Sequence, residues 1–197
     1  MIRFGFLASL LMMAASAVAA DDLATCILCH GTNTNGNLGV RAPKLSGLEP
    51  WYLKRQLELF RSSARGAHPK DVSGGEMRTV ALALQADSLD KIAATIATFK
   101  EKPPVVTVAG DPARGAKMYA TCAACHGANG RGNQALHTPA LAKRSDWYLV
   151  TQLNNFRDGL RGVETSDLYG GPMRTAAMTL PNAQAIADVV AHINTLR

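Results

Sequence analysis

The chain has 197 residues, 47% hydrophobic and 18% charged, and its 21 Lys and Arg against 15 Asp and Glu give a formal net charge of +6. That length suits one medium domain or two small ones. The basic residues are scattered, without a run and without interleaved aromatics, which argues against nucleic-acid binding and leaves charge a role in steering a protein partner.

The first element reads as an export signal. Arg3 supplies a positive start, the residues from Phe4 to Ala20 carry no charge, and Ala17-Val18-Ala19-Ala20 stand ahead of Asp21-Asp22. Residues 1–20 are therefore expected to be a signal peptide cleaved after Ala20. An uncleaved anchor is the rival, but this Ala- and Ser-rich stretch sits at the short limit for a membrane span. No later segment is apolar enough to cross a bilayer. The expected location is the periplasm, with the mature protein soluble or peripherally attached to a membrane.

Next comes Cys26-Ile27-Leu28-Cys29-His30, and Cys122-Ala123-Ala124-Cys125-His126 repeats it; the two motifs hold all four cysteines. Two thiols three positions apart, followed at once by an imidazole, are what a c-type haem requires. The thiols add across the porphyrin vinyl groups as thioethers, and the histidine coordinates iron from one face. Thioether formation also uses up thiols that an oxidising compartment would otherwise pair. Two covalently bound haem c groups are expected, on Cys26 and Cys29 and on Cys122 and Cys125, with His30 and His126 as iron ligands. A disulfide framework would not need a histidine after each pair. A zinc site is disfavoured by the distance between the pairs.

A shift of 96 residues superposes far more than the motifs. Pro43 falls on Pro139, Trp51-Tyr52-Leu53 on Trp147-Tyr148-Leu149, Gln56-Leu57 on Gln152-Leu153, and Phe60-Arg61 on Phe156-Arg157. Arg65-Gly66 falls on Arg161-Gly162, and Met77-Arg78-Thr79 on Met173-Arg174-Thr175. Two copies of one domain follow. The expected divisions are 21–101 and 110–197, joined at 102–109, where Pro103-Pro104 excludes helix and favours a stiff connector. Each copy reads as helical, from Pro50 and Ser145-Asp146 through a closing helix apolar at 89, 92, 96 and 99 and at 186, 189, 193 and 196. Gly-rich stretches, including Gly74-Gly75 and Gly170-Gly171, read as loops. The first helix of the first copy is expected to be a stub of little more than one turn, because its counterpart residues fall in the signal peptide. A bulky cofactor would complete each small core.

The sixth iron position separates a carrier from a catalyst. Met77 and Met173 occupy equivalent places after the glycine pairs, and thioether sulfur favours ferrous iron and raises the potential. They are the expected second ligands. Met178, matched by Leu82, reads as core, as does Met118. Carbonyls near Pro43 and Pro139 are positioned to accept a hydrogen bond from the ligand histidines. Trp51, Tyr52, Trp147 and Tyr148 are candidates for the haem edge, and Arg78 and Arg174 for the propionates. His68, His137 and His192 have no repeat partners and read as surface or satisfied histidines.

With these residues the chain resembles the class I dihaem cytochromes, particularly the cytochrome c4 family. Cys122-Ala-Ala-Cys-His-Gly-Ala-Asn-Gly-Arg-Gly-Asn133, Pro139, Tyr148, Gln152-Leu153, Phe156-Arg157, Gly159, Arg161-Gly162 and Met173 carry the resemblance, and the first copy repeats it. The resemblance implies an all-α fold of two tandem class I cytochrome c domains, His/Met ligation at both irons, and propionates facing one another. It also implies an electron carrier rather than an enzyme, with no catalytic residues. Its partners would be redox proteins: a periplasmic dehydrogenase, a cytochrome bc1-type complex or a membrane terminal oxidase. The rivals are a dihaem peroxidase or thiosulfate-oxidising enzyme, and a permanent subunit of a dehydrogenase complex.

Overall fold

The computed structural model describes residues 23–196, so the signal-peptide reading of residues 1–20 lies outside the described residues. Two sets of four helices follow one another. The first set is α1 (23–30), α2 (Pro50–Arg61), α3 (Val72–Ala83) and α4 (Leu89–Ala97). The second is α5 (Pro112–His126), α6 (Asp146–Arg157), α7 (Gly170–Met178) and α8 (Ala183–Ile193). No strand interrupts the described residues; two isolated bridges, Asn37 with Ala42 and Asn133 with Thr138, are themselves repeat equivalents.

Local chemistry sets the helix ends. Asp111 caps α5 by accepting from the Ala113 and Arg114 amides, and Pro112 opens the helix without losing a hydrogen bond. Asn182 caps α8 in the same way through the Ala185 amide at 2.9 Å. Of the apolar positions expected in the closing helices, 89, 92 and 96 in α4 and 186, 189 and 193 in α8 are buried, whereas Phe99 and Leu196 lie past the helix ends and are half-buried. Leu89, Ile92 and Ile96 pack with Leu53, Leu57 and Phe60 in the first unit. Ile186, Val189 and Ile193 pack with Tyr119, Leu153 and Phe156 in the second. Each such side chain fully removed from water contributes about 1.5–3 kcal/mol.

Two expectations change. The first helix is not a one-turn stub: residues 23–30 already make two turns, because the Cys-x-x-Cys-His motif is itself helical, as in α5. The glycine pairs are not loops either. Gly74-Gly75 lie within α3 and Gly170-Gly171 begin α7, capped by Asp71 and Asp167 side chains that accept from the Gly74 and Gly170 amides at 3.1 and 3.0 Å. Glycine is needed there for packing. A Cβ at Gly66, where φ is +77°, would lie 2.3 Å from the Gly74 carbonyl oxygen, and one at Gly162 (φ +76°) 2.4 Å from that of Gly170. That close approach fixes the methionine-bearing helices against the Arg65 and Arg161 segments.

The connector is tied at both ends. The Lys102 amide donates to the Asn35 side-chain oxygen at 2.7 Å, and the Lys44 ammonium meets Glu101 at 2.9 Å. Farther on, Asp146 accepts from the Thr107 and Val108 amides at 2.7 and 2.9 Å. Burial opposes ionisation of Asp146, but these bonds and those from the Thr107 hydroxyl and the Trp147 amide outweigh it and hold its carboxyl below the usual range. Among the described residues no helix is long and apolar enough to cross a membrane.

Candidate functional site

The two units face each other across one continuous cavity of about 540 Å³. Its lining brings together both Cys-x-x-Cys-His motifs and both methionines: Cys26, Cys29, His30 and Met77 from the first unit, and Cys122, Cys125, His126 and Met173 from the second. The remaining wall is largely aliphatic and aromatic, including Leu53, Phe60, Ile92, Leu153, Phe156 and Val189. Residues separated by 47 positions in each half thus share one space, because α1 and α5 present the motif from one side and α3 and α7 the thioether from another.

The histidines are oriented by their second nitrogen. His30 Nδ1 lies 2.7 Å from the Pro43 carbonyl oxygen, and His126 Nδ1 lies 2.8 Å from that of Pro139. A carbonyl can only accept, so Nδ1 carries the proton and Nε2 keeps its lone pair free for a metal. Burial pulls both imidazoles below their ordinary pKa against the opposing effect of the carbonyl bond. Both are thereby held neutral, the form that ligates iron.

At the centre of the interface a ring of polar side chains obeys the repeat symmetry. Arg65 donates to Gln56 of its own unit at 2.8 Å and to Gln152 of the other at 3.0 Å. Arg161 donates to Gln152 at 2.8 Å and to Gln56 at 2.7 Å. Arg65 also donates to the Tyr148 hydroxyl, and Tyr52 pairs with Arg161. Burial opposes ionisation of Tyr52, but Arg161 and Arg65 outweigh it and lower its pKa. The guanidinium planes lie over Phe60 and Phe156 at 4.4 and 4.5 Å.

This site tests the fit of the expected cofactor. Arg55, Arg65 and Arg161 all line the cavity, and each has a buried N–H without a protein partner: Nε in all three, and Nη1 of Arg55 as well. Buried unpaired guanidinium donors are costly unless an anion meets them. A macrocycle that is apolar over its faces and carries carboxylates at one edge matches an apolar cavity with convergent arginines. The residues fit a haem.

The propionate assignment shifts accordingly. Arg78 and Arg174 do not line the cavity; one residue along the helix from each methionine, Arg78 turns away to donate to the Ser63 hydroxyl at 2.9 Å. Tyr52, Trp147 and Tyr148 line the cavity, whereas Trp51 stands behind it against Arg55 at 5.1 Å. Met178 is not core but 54% exposed, while Met118 packs against the second core. His137 is exposed at the surface, as expected, but it is not isolated. It lines the cavity and stacks on Tyr169 with ring centroids 4.6 Å apart. The arginines and glutamines of the ring were visible only as matched positions, Gln56 with Gln152 and Arg65 with Arg161.

Two helical units, each presenting a Cys-x-x-Cys-His helix and a methionine helix to an apolar cavity, define a c-type cytochrome, and the family model for cytochrome c matches residues 112–197. The chain is 30% identical to cytochrome c4 of Azotobacter vinelandii over 92% of this chain and 89% of the relative. It is 32% identical to a thiosulfate dehydrogenase electron acceptor of Stutzerimonas stutzeri over 96% and 93%. The structure of reduced cytochrome c4 from Pseudomonas stutzeri superposes with a TM-score of 0.71 at 28% identity, covering 93% of this chain and 98% of that one. A thiosulfate dehydrogenase of Marichromatium purpuratum superposes with a TM-score of 0.70 at 27% identity over 87% of this chain and 36% of that one. The chain belongs to the cytochrome c4 family of dihaem cytochromes. Its function is electron transfer, and it is a carrier, not an enzyme.

Proposed function

We propose that this protein is a periplasmic carrier with two haem c groups, one attached through Cys26 and Cys29 and the other through Cys122 and Cys125. His30 and Met77 are the axial ligands of the first iron, and His126 and Met173 those of the second. Residues 21–101 and 110–197 form the two domains, joined by 102–109 after removal of 1–20. The observation that carries this reading is the convergence of both Cys-x-x-Cys-His motifs and both methionines on one cavity, with each histidine held through Nδ1 by a carbonyl.

A haem c supplies a one-electron ferric/ferrous couple. The chain's part is to fix two ligands so that no iron position is left for substrate, to exclude water with the apolar wall, and to hold the propionate edges at Arg65, Arg161 and Arg55. Haems held in this way would present their propionate edges to the same polar ring, which would give an electron a path between units.

The donor we propose is a periplasmic dehydrogenase, and a membrane terminal oxidase or cytochrome bc1-type complex completes the chain. Within that class a thiosulfate dehydrogenase is favoured by the 32% identity, over nearly full length, to a protein named as such an enzyme's electron acceptor. Haem staining, a pyridine haemochrome spectrum and the intact mass of the holoprotein test the cofactor reading: two thioether-linked haems per chain are expected, and one or none overturns it. Reduction of the oxidised protein by a thiosulfate dehydrogenase with thiosulfate tests the donor, and no reduction within turnover time removes that assignment.

A further inference from the structure

The repeat symmetry of the interface is broken in several places: Lys44 stands where the other copy has Ala140, Arg144 where it has Leu48, and a third group of residues is unmatched as well. Arg55, His137 and Tyr169 correspond by the 96-residue shift to Thr151, Arg41 and Ser73, so none of the three is matched in kind. The structure gathers them together. The Arg55 guanidinium lies 4.7 Å from the Tyr169 ring, 5.1 Å from Trp51 and 5.4 Å from Tyr52, and it donates to the His137 carbonyl at 3.0 Å. His137 stacks on Tyr169 and meets Trp51 edge-on at 6.1 Å. The cluster draws Trp51, Tyr52 and Arg55 from the first unit and His137 and Tyr169 from the second. Arg55, His137 and Tyr169 all line the shared cavity.

The result is an unmatched cation at the interface that, unlike Lys44 and Arg144 with Glu101, forms no salt bridge to a protein carboxylate. Its Nε and Nη1 are buried without a protein partner, which leaves them to the propionate edge assigned to Arg55 above. Across the axis Thr151 brings no charge, and Arg41 is exposed to solvent, where water and salt screen it. A partly desolvated cation attracts an added electron more strongly than an exposed one, and the attraction falls with distance. Two sites at unequal distances from Arg55 therefore feel it unequally.

We infer that Arg55, held by Tyr169 and His137, is a positioning residue that makes the two haem environments unequal and sets which haem holds a single electron. The inference rests on the reading that each unit binds a haem. A cation at this place stabilises the reduced state of the nearer haem, so in half-reduced protein the electron settles on one side.

The test is a spectroelectrochemical titration of the holoproteins. Wild type is expected to titrate in two resolved one-electron steps. Arg55→Thr, which installs the residue of the twin position, should narrow the gap by at least a threefold change in electron partition, about 28 mV at 59 mV per decade. Arg55→Lys should retain the gap. Thr151→Arg, which puts a cation on the other side, should narrow it without removing any contact described above, so the test survives failure of Arg55→Thr to mature. An unresolved wild-type titration, or a gap that stays within threefold or widens in Arg55→Thr and Thr151→Arg, overturns the inference. A haem count below two in wild type refutes the underlying reading instead, whereas two haems with an unaltered gap refute only the role of Arg55.

Discussion

The side-chain oxygens of Gln56 and Gln152 each accept hydrogen bonds from both Arg65 and Arg161, at 2.7–3.0 Å, so that either glutamine holds one arginine of its own unit and one of the other. A neutral amide can do this where a carboxylate would neutralise the arginines. The guanidinium charges are retained for the cavity.

Truncating one of these amides leaves two buried N–H groups without an acceptor. Gln56→Ala or Gln152→Ala should destabilise the holoprotein by about 2 kcal/mol, the desolvation cost of unpaired buried donors. Chemical denaturation monitored at the haem absorbance measures it. The double variant should cost less than the sum of the two, because both act on the same arginines.

Removing a thioether should expose one iron at a time. Met77→Ala and Met173→Ala are each expected to retain two covalent haems, to bind carbon monoxide at one haem when reduced, and to lower the potential of that haem alone. Absorption spectra under carbon monoxide and a redox titration decide it. Spectra identical to wild type in both variants would show that another residue completes the coordination.

The glycine that lets the chain cross the methionine helix should tolerate no side chain. Gly66→Ala must accommodate a Cβ 2.3 Å from a backbone oxygen at a φ of +77°. A loss of about 2–3 kcal/mol is expected, together with weakening of the methionine-to-iron band of the first unit only. Gly162→Ala should do the same in the second unit.

Glu101 should make the interface sensitive to acid. Its carboxylate meets Lys44 at 2.9 Å, Arg144 at 3.4 Å and Lys143 at 3.7 Å. Burial pushes its pKa up, but the bond to Lys44 and the charges of Lys44, Arg144 and Lys143 outweigh that and bring it below 4.5. A carboxyl depressed in the folded state stabilises fully above its unfolded pKa, and loses that contribution as pH falls through the folded one. Wild type should therefore exceed Glu101→Gln in stability at pH 7, by about 1 kcal/mol at most because Glu101 is partly solvated. The difference should shrink as pH falls below 4.5 and disappear once Glu101 is protonated in the folded state as well. Unfolding midpoints of the two proteins across that range measure it.

Much of this molecule can be read from its residues because the informative features are local or repeated. The covalent motif names its own chemistry in five positions, and Met77 and Met173 stand out only because a duplication makes each the control for the other. The buried faces of α4 and α8 follow from helical spacing alone. What escapes is whatever depends on the contact between units. Arg78 and Arg174 sit beside the methionines in sequence, yet one step along a helix is about 100° of rotation, which turns them off the cavity. Arg65 and Arg161 are separated from the methionines by a turn and reach the centre because Gly66 and Gly162 bring them close. His137 lacks a twin, as do Arg55 and Tyr169, with which it is gathered.

The anchored connector carries a last consequence. Between the Lys102 and Thr107 attachments the backbone runs at the surface, with Val105 80% exposed, while the Lys44 amide on Ser145, Arg144 on the Ser46 carbonyl and the glutamine–arginine ring join the halves independently of it. Severing the peptide there would leave one particle made of two polypeptides. The tether raises the local concentration of each half for its mate, and the complementary surfaces themselves preserve the docking.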